Sequence, residues 1–564
     1  MTRRNFLAAS ILGTTASAGS PYLTSAAPPG EGPNFPISRQ VEISVPEKAF
    51  EESFWIAVRL TEEMRRLAFQ RYGKDGWLSV SNGKVNPEHR FDPRDFCYAS
   101  RCAAYLYGHD PAFAVEMGKR IFQEEIDGND GHIPLGELGA TMKHFSDYIA
   151  YLEQDGLVKE NWDRLLKMTG WLIANYDHND DGLVENGDRD HGHLWCLMIG
   201  EDTNFPRLPE THGDVIVIEN MQMCQLFQTM AACATRWGLP GGDWLEGRAQ
   251  KVHTALEGPC FDPDAGHYYL IYRGSERRWY HSLKGINEYS RELDVTPYYA
   301  ALVSGNFSRG ARIAEYAQKV LLDEQVFPMP LQYPPYTWVV ENPDDPENGL
   351  LYHSPYIFVP GGCWEESYYN CVRAWSHFGL PAPVYEAIRR RSVAHARDQD
   401  CWEWFNQDGE VGNGARDRYG ISASAHISAI IEGLFGITPA RFGFSEINIH
   451  PNFPPHWAGK PVSIRVTLPG NGFLRYVYER DEATRTLTLT VETDKQRTGH
   501  FRLFVPEAID FVKWNEDRVL YDGGLHPGGG SFMLLTRPFK NDRLQIKLAT
   551  CASRGLPARA CLPV

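Results

Sequence analysis

Residues 160–183 read ENWDRLLKMTGWLIANYDHNDDGL, and the pattern of this stretch recurs over the greater part of the chain. Its apolar residues are spaced as on one face of a helix, which predicts a helix at 160–175. Tyr176 is followed by Asp, His, Asn, Asp, Asp and Gly, a composition typical of a turn. The stretch therefore predicts one helix of a helical domain and the turn that leads onward.

Segments with the same helical spacing continue to about residue 437. They are 50–70, 96–107, 111–125, 138–154, 160–175, 216–237, 243–257, 297–304, 309–322, 364–378, 383–397 and 421–435. Tight turns alternate with long loops that are rich in Trp, Tyr, Asp, Glu and Gly, a class of loop that is usually functional. These loops are 176–214, 259–296, 323–363 and 398–420. Helices joined in this way predict six hairpins that close into an (α/α)6 barrel over 50–438.

The pattern changes after Pro439, where apolar and polar residues begin to alternate. Residues 462–466, 486–491 and 501–505 have this spacing, and Gly- and Pro-containing turn signals separate such runs. We therefore expect a C-terminal antiparallel β-sandwich over 439–550 and an irregular tail over 551–564. The predicted fold is mainly α, a six-hairpin barrel followed by this sandwich.

The N-terminus has the features of an export signal. Arg3 and Arg4 precede a short apolar stretch at 8–12, and small residues at 16–18 offer a cleavage site. This order is typical of a twin-arginine signal peptide, which predicts a periplasmic or secreted protein. We assign 1–27 to the signal and 28–49 to a linker or N-terminal segment.

Composition restricts the partners. The formal net charge is −16, and an acidic surface repels nucleic acids and anionic membranes. No apolar run of eighteen residues is present, so no membrane span is expected. The 15 Trp and 27 Tyr suit the apolar faces of sugar rings, although large helical proteins also bury aromatic residues. The 11 cysteines show no zinc-binding spacing, so we expect no metal centre built on them.

Several motifs, in order, resemble those of the six-hairpin glycosidases. The segments are 94–98, 107–111, 130–134, 176–183, 201–207, 293–298, 360–364, 402–406, 420–425 and 432–437. The likeness is to the processing α-glucosidases of glycoside hydrolase family sixty-three and to trehalases, and more distantly to α-L-rhamnosidases. It covers about residues 90–450. Arg94 replaces the usual Trp of the first motif, and Pro360 replaces an arginine that contacts substrate in the family, which leaves the sugar undefined.

The resemblance implies an inverting glycosidase that acts with two carboxyl groups. In such enzymes an acid protonates the leaving oxygen and a base activates water, with about 6.5–9.5 Å between them. The family base falls on Glu403, between two tryptophans in the loop before the last barrel helix. A structural alternative for Glu403 is a helix-end carboxylate paired with Arg416 or Arg418.

The family acid falls on Asp202, within a segment that has one extra residue compared with the family pattern. Glu201, Glu210 and Asp214 are neighbouring carboxyls that could serve instead. Trp195 and Phe205 could form apolar walls that raise the pKa of the acid.

Four further residues are candidates for binding the sugar. They are Asp95, Arg207, Trp364 and Trp402. The two tryptophans and Asp95 could equally be wall residues of the barrel.

The turn after the opening helix has a second interpretation. Asp177, Asn179, Asp181, Gly182 and Asp188 match positions 1, 3, 5, 6 and 12 of an EF-type calcium loop. Position 12 is normally Glu in such loops, so a plain connecting turn is the favoured interpretation, with calcium as the alternative. We expect the enzyme to need no cofactor.

The sequence thus favours an exported glycoside hydrolase acting on oligo- or polysaccharides. A polysaccharide lyase or a phosphorylase on the same helical scaffold is the alternative enzyme class. A carbohydrate-binding protein without catalysis is the third hypothesis, because a fold alone does not establish an activity.

Overall fold

The computed structural model describes eleven ranges of the chain. They are 40–72, 102–108, 155–185, 213–269, 271–274, 277–280, 307–327, 363–412, 415, 417–525 and 530–549. All of them belong to one compact unit, Ile37–Val564.

Nine α-helices lie within the described ranges. They are α1 (Lys48–Tyr72), α2 (Ala103–Tyr107), α3 (Asp155–Tyr176), α4 (Val217–Trp237), α5 (Gly242–Glu257), α6 (Phe307–Gln318), α7 (Glu365–His377), α8 (Pro381–Asp398) and α9 (Gly420–Ser428). They fall where helical spacing predicted them. The predicted helices at 111–125, 138–154 and 297–304 lie outside the described residues, and the closed barrel stays a prediction.

Helix α3 shows why segments with helical spacing fold as helices in this protein. α3 buries Leu157, Val158, Trp162, Leu165 and Leu172, whose spacing places them along one side of the helix. The indole N–H of Trp162 donates to the carbonyl of Pro240 at 2.8 Å, just before α5 begins. The apolar face and this one polar contact fix α3 against the following hairpin.

Two helices continue in π-helical turns, which the spacing did not predict. Lys319–Asp323 extends α6, and Ala429–Leu434 extends α9. A π-turn inserts an extra residue into a helix. In the second case the inserted turn contains Glu432, whose buried carboxylate contacts Arg373 and Tyr369 on α7.

The C-terminal part forms one large hydrogen-bonded sheet. Its strands are β1 (Glu42–Ser44), β9 (Ile437–Pro439), β10 (Glu446–Ile449), β11 (Val462–Leu468), β12 (Gly472–Asp481), β13 (Thr486–Val505), β14 (Ile509–Trp514), β15 (Asp517–Arg518), β16 (Asp522–Leu525) and β17 (Ser531–Leu548). The main order is β1-β11-β12-β13-β17-β14-β15. Every pairing is antiparallel except that of β10 with β13.

The prediction of separate strands at 486–491 and 501–505 was wrong, because both belong to the continuous strand β13. The ladder between β13 and β17 shifts register between Glu492 and Arg497. The side chain of Arg497 donates to Asp494 at 3.0 Å and to the carbonyl of Phe444 at 2.8 Å. The polar residues that resemble a turn in the sequence are therefore satisfied at a β-bulge.

The sheet includes a strand from the segment predicted as a linker. Glu42–Ser44 pairs antiparallel with Ser463–Arg465 of β11, and Val41 and Val45 on either side are buried. This segment leads directly into α1, so a short connection joins the edge strand of the sheet to the first helix.

The sheet packs directly on the helices. Thr467 of β11 donates to the carbonyl of Ala104 in α2 at 3.2 Å, and Tyr476 of β12 donates to the carbonyl of Phe435 at 2.7 Å. The Tyr105 hydroxyl donates to the carbonyl of Ile437 at 2.8 Å. None of the helices within the described ranges is long and apolar enough to cross a membrane.

Short strands occupy the described parts of the long loops. They are β2 (Val215–Ile216), β3 (Phe261–Asp262), β4 (His267–Tyr268), β5 (Ile271–Arg273), β6 (Arg278–Tyr280), β7 (Cys363–Trp364) and β8 (Trp404–Phe405). β2, β5 and β6 form one small sheet, β3 and β4 form a second, and β7 and β8 form a third. The predicted base, Glu403, directly precedes β8.

Candidate active site

The loop that connects α8 to α9 carries Glu403, and we call residues 399–419 the Glu403 loop. α8 ends at Asp398, and Gln399 follows in the left-handed region with a φ of 55°. Arg418, at the far end of the loop, is also left-handed with a φ of 46°. The chain therefore turns sharply at both ends of the loop.

Hydrogen bonds join the two ends of this loop. We call these ends, residues 400–401 and 418–419, the neck of the loop. One carboxylate oxygen of Asp400 accepts the backbone N–H of Cys401 at 2.7 Å and that of Arg418 at 3.0 Å. The carbonyl of Cys401 accepts the N–H of Tyr419 at 2.8 Å. The two ends of the loop are thereby joined.

Trp404 anchors the loop on the other side of Glu403. It pairs with Trp364 in the β7–β8 ladder, and the two indole rings stack with centroids 5.3 Å apart and an interplanar angle of 22°. The carbonyl of Trp404 also accepts the N–H of Gly412 at 3.1 Å. Trp364, predicted as a sugar-binding residue, therefore lies beside the residue that follows Glu403.

Glu403 itself is buried, with a relative exposure of 6%. Trp404 is buried behind it at 3%, whereas Trp364 and Trp402 are partly exposed. Within the described structure the indole N–H of Trp402 has no hydrogen-bond acceptor. The structure thus brings together three of the six predicted site residues, Glu403, Trp364 and Trp402, on the β7–β8 ladder and the residues directly before β8.

A glycine makes the close packing possible. A Cβ at Gly412 would lie 1.9 Å from the Nε1 atom of Trp404, far inside contact distance. Only the absence of a side chain at this position lets the returning strand of the loop lie over the Trp404 ring.

The guanidinium group of a buried arginine packs against aromatic rings close to Glu403. Arg391 of α8 is fully buried, and its guanidinium carbon lies 4.6 Å from the Phe327 ring centroid and 5.3 Å from that of Phe405. Its Nη2 atom lies 3.5 Å from the carbonyl of Trp364. Guanidinium groups stack favourably on aromatic rings, which gives this charge a suitable environment within the core.

Two buried histidines extend this layer. The ring of His395 lies 4.5 Å from that of His426, and its Nδ1 is 3.7 Å from the thiol of Cys401. His426 also contacts the hydroxyls of Tyr368 at 3.3 Å and of Ser53 at 2.9 Å. Burial, reinforced by His395 and Arg391, holds the pKa of His426 well below its usual value, so this ring is neutral.

The predicted acid falls on a part of the chain that is not described. Asp95, Asp202 and Arg207 lie outside the described residues, as do the alternatives Glu201 and Glu210. The pairing of an acid with Glu403 therefore stays a prediction.

Asp214, the third alternative for the acid, is described. It is fully buried directly before β2, and one carboxylate oxygen accepts the N–H of Gly274 at 2.8 Å. In this position Asp214 stabilises the small sheet that follows the segment of the predicted acid.

The turn at 177–183 binds two basic side chains. The carboxylate of Asp177 pairs with Arg248 of α5, and that of Asp180 contacts Arg248 at 3.2 Å and Lys251 at 2.5 Å. The side chain of Asn179 bonds within the turn to Asp181. Among the described residues no group of three or more His, Cys, Asp and Glu has a geometry that could hold a metal ion.

Comparison with known proteins identifies the fold. No protein-family model and no curated protein sequence matches the chain. Solved structures of glycoside hydrolases do match. A GH78 family rhamnosidase of Bacillus sp. GL1 is 14% identical with a TM-score of 0.53, over 80% of this chain and 42% of that one. The α-L-rhamnosidase of Streptomyces avermitilis is 11% identical with a TM-score of 0.55, over 90% and 42%.

A GH63 mannosylglycerate hydrolase of Thermus thermophilus also matches, at 12% identity over 67% of this chain and 99% of that one. Its TM-score of 0.47 is too low to support a conclusion. The likeness to rhamnosidases that the motifs predicted is confirmed at the level of the fold. This chain spans less than half of the length of the two rhamnosidases described above.

Sequence patterns missed the residues that hold the site in place. Trp404 was part of the motif at 402–406, but no local sequence pattern indicates that it pairs with Trp364. Asp400, Arg391 and His426 act through contacts with residues distant in sequence. The sequence signal for Arg391 is that a charged residue lies on a helix face that is otherwise buried, since such a charge needs partners in the core.

Proposed function

We propose that this protein is an exported glycoside hydrolase that cleaves oligo- or polysaccharides with inversion, using two carboxyl groups. The observation that carries the proposal is the buried Glu403, which directly precedes Trp404 where that residue stacks on the partly exposed Trp364, on a fold shared with α-L-rhamnosidases. Export rests on the twin-arginine pattern of the N-terminus, and the closed barrel on the helical spacing.

In the proposed mechanism Glu403 is the base. Its carboxylate accepts a proton from the water that attacks the anomeric carbon, while a carboxyl of the 201–214 segment, with Asp202 as first candidate, protonates the leaving oxygen. Electrons move from water to the anomeric carbon and from the glycosidic bond to the leaving oxygen, and the product sugar has the opposite anomeric configuration.

The tryptophans have a binding role in this proposal. Flat indole faces suit the apolar C–H face of a sugar ring, and Trp364 and Trp402 are partly exposed. Asp95 and Arg207 are proposed as further contacts to the sugar on the strength of the motifs. No step requires a metal or an organic cofactor.

The reaction class is tested by incubating the protein with a panel of para-nitrophenyl glycosides, including α-L-rhamnoside, and with neutral and uronate oligosaccharides. Release of a reducing sugar whose first anomer, followed by proton NMR, has the inverted configuration supports the proposal. Unsaturated uronate products would assign a lyase. Turnover that depends on inorganic phosphate would assign a phosphorylase, and binding without any product would assign a lectin-like role.

A further inference from the structure

The neck of the Glu403 loop contains a carboxyl group that the proposed chemistry does not use. Asp400 lies three residues before Glu403, and one of its oxygens accepts two backbone N–H groups from opposite ends of the loop. From this geometry we infer that Asp400 is a positioning residue for the catalytic loop, an inference that rests on the proposed function of Glu403.

The backbone around Glu403 is anchored on both sides. On the N-terminal side the carbonyl of Cys401 bonds to Tyr419, next to the Asp400 contacts. On the C-terminal side Trp404 pairs with Trp364. Glu403 therefore lies between two fixed points, and the first of these depends on the acceptor oxygen of Asp400.

The position of Asp400 is costly for a carboxylate. Burial raises its pKa, the two N–H donors oppose that rise, Asp417 adds to it and the Arg418 side chain opposes it, and the pKa that results is about 6. Arg418 in turn contacts Asp417 at 3.6 Å and Glu63 of α1 at 3.3 Å. A neutral acceptor at position 400 would keep both hydrogen bonds without the cost of burying a charge.

Loss of the acceptor should loosen the neck without unfolding the domain. Removing the oxygen leaves two partly buried N–H groups without this acceptor, which weakens the closure of the neck. A small displacement of a catalytic carboxylate reduces turnover strongly, because the reacting atoms must be aligned within fractions of an ångström. The expected signature is a lower kcat with little change in KM.

The experiment compares Asp400→Ala, Asp400→Asn and the control Asp408→Asn in the full chain. Asp408 is an exposed residue of the same loop whose carboxylate accepts the N–H of Glu410 at 3.0 Å. Hydrogen–deuterium exchange of the 399–419 peptides reports on the neck without any need for activity. Turnover of para-nitrophenyl α-L-rhamnoside, or of the panel substrate that the wild type cleaves, reports on positioning.

For Asp400→Ala we expect at least about tenfold faster exchange at the neck, and a kcat lower by about 10–100-fold with KM within about threefold. Asp400→Asn should restore both to within about threefold, because its amide oxygen accepts the same N–H groups. Asp408→Asn should match the wild type.

Wild-type exchange in Asp400→Ala would overturn the inference, as would fast exchange with an unchanged kcat. An Asp400→Asn variant as impaired as Asp400→Ala would also contradict it, because the charge and not the acceptor would then matter. If the wild type cleaves no glycoside, the proposed function fails, and the exchange comparison still decides whether Asp400 holds the neck.

Discussion

At the scale of single residues, the site depends on one position that cannot carry a side chain. Gly412 lies so close to Trp404 that a Cβ there would overlap the indole nitrogen at 1.9 Å. Because the ring is buried and stacked on Trp364, it has no free space into which to move.

We therefore expect Gly412→Ala to reduce glycoside turnover at least about tenfold and to destabilise the fold by about 1–3 kcal/mol, the usual cost of overpacking. The measurement is turnover together with urea unfolding. Gly247→Ala is the matched control, because a Cβ there meets nothing within 4 Å in the interior of α5 and should stabilise the protein by about 0.5–1 kcal/mol. Equal effects of the two substitutions would contradict the packing argument.

The raised pKa of Asp400 also predicts how stability depends on pH. The folded state holds this proton up to about pH 6, whereas an unfolded Asp releases it near its ordinary value of about 3.9. Between these values only the folded state is protonated, so the free energy of unfolding falls as the pH rises.

The loss from this one residue is at most about 3 kcal/mol. Asp400→Asn cannot ionise, so its unfolding free energy should lack this part of the decline between pH 4 and pH 6. Urea titrations of the two proteins at several pH values measure the difference. Parallel stability curves for wild type and Asp400→Asn would show that the carboxyl is not in a destabilising environment.

At the scale of elements, a buried charge network joins helices to the sheet. Glu432 is buried and accepts from Tyr369 at 2.8 Å, its Oε1 lies 3.3 Å from the Tyr105 hydroxyl oxygen, and it contacts Arg373 at 3.2 Å. Tyr105 belongs to α2, on which strand β11 packs through Thr467. The network therefore connects α2, α7 and the end of α9 at the surface where the sheet docks.

Arg373→Met should cost about 3–5 kcal/mol, because it leaves the Glu432 carboxylate buried without its cation. The double variant Arg373→Met with Glu432→Met should be more stable than the single one, since both charges are then removed. Chemical denaturation of the wild type, of the single variants Arg373→Met and Glu432→Met, and of the double variant gives the coupling energy. A single variant within about 1 kcal/mol of the wild type would mean that solvent or another group compensates the charge.

The turn at 177–183 allows a prediction about calcium. Arg248 and Lys251 already neutralise the carboxylates of Asp177 and Asp180, so a divalent ion would have to displace two bound cations. We expect the thermal midpoint of the wild type to be the same in excess calcium and in excess chelator. A rise of several degrees with calcium would instead show a functional ion site at this turn.

The sequence predicted helices and strands well where the apolar periodicity is strong. It predicted them less well where contacts between distant residues determine the structure. Helices α1, α3, α4 and α5 lie within a few residues of their predicted bounds. β13 was divided in the prediction because its bulge has the composition of a turn, and β1 was missed because three residues carry no periodicity. Glu403 was found through a motif, whereas Asp400 and Arg391 depend on contacts that no local pattern encodes.

At the scale of the whole molecule, a helical portion, a large sheet and one carboxylate-bearing loop belong to one compact unit. The fold is shared with α-L-rhamnosidases at low sequence identity, and such likeness leaves the activity to the residues of the site. The proposal that this is a glycosidase therefore depends on Glu403 more than on any other residue.

The most direct test is the kcat of Glu403→Gln compared with the wild type on the best substrate of the panel. Glu410→Gln is the matched control, because Glu410 lies on the same loop with its side chain 70% exposed. We predict that Glu403→Gln loses about 10²–10⁴-fold in kcat while its thermal midpoint and circular dichroism stay those of the wild type, and that Glu410→Gln keeps full activity. A folded Glu403→Gln variant with wild-type turnover would contradict the central claim.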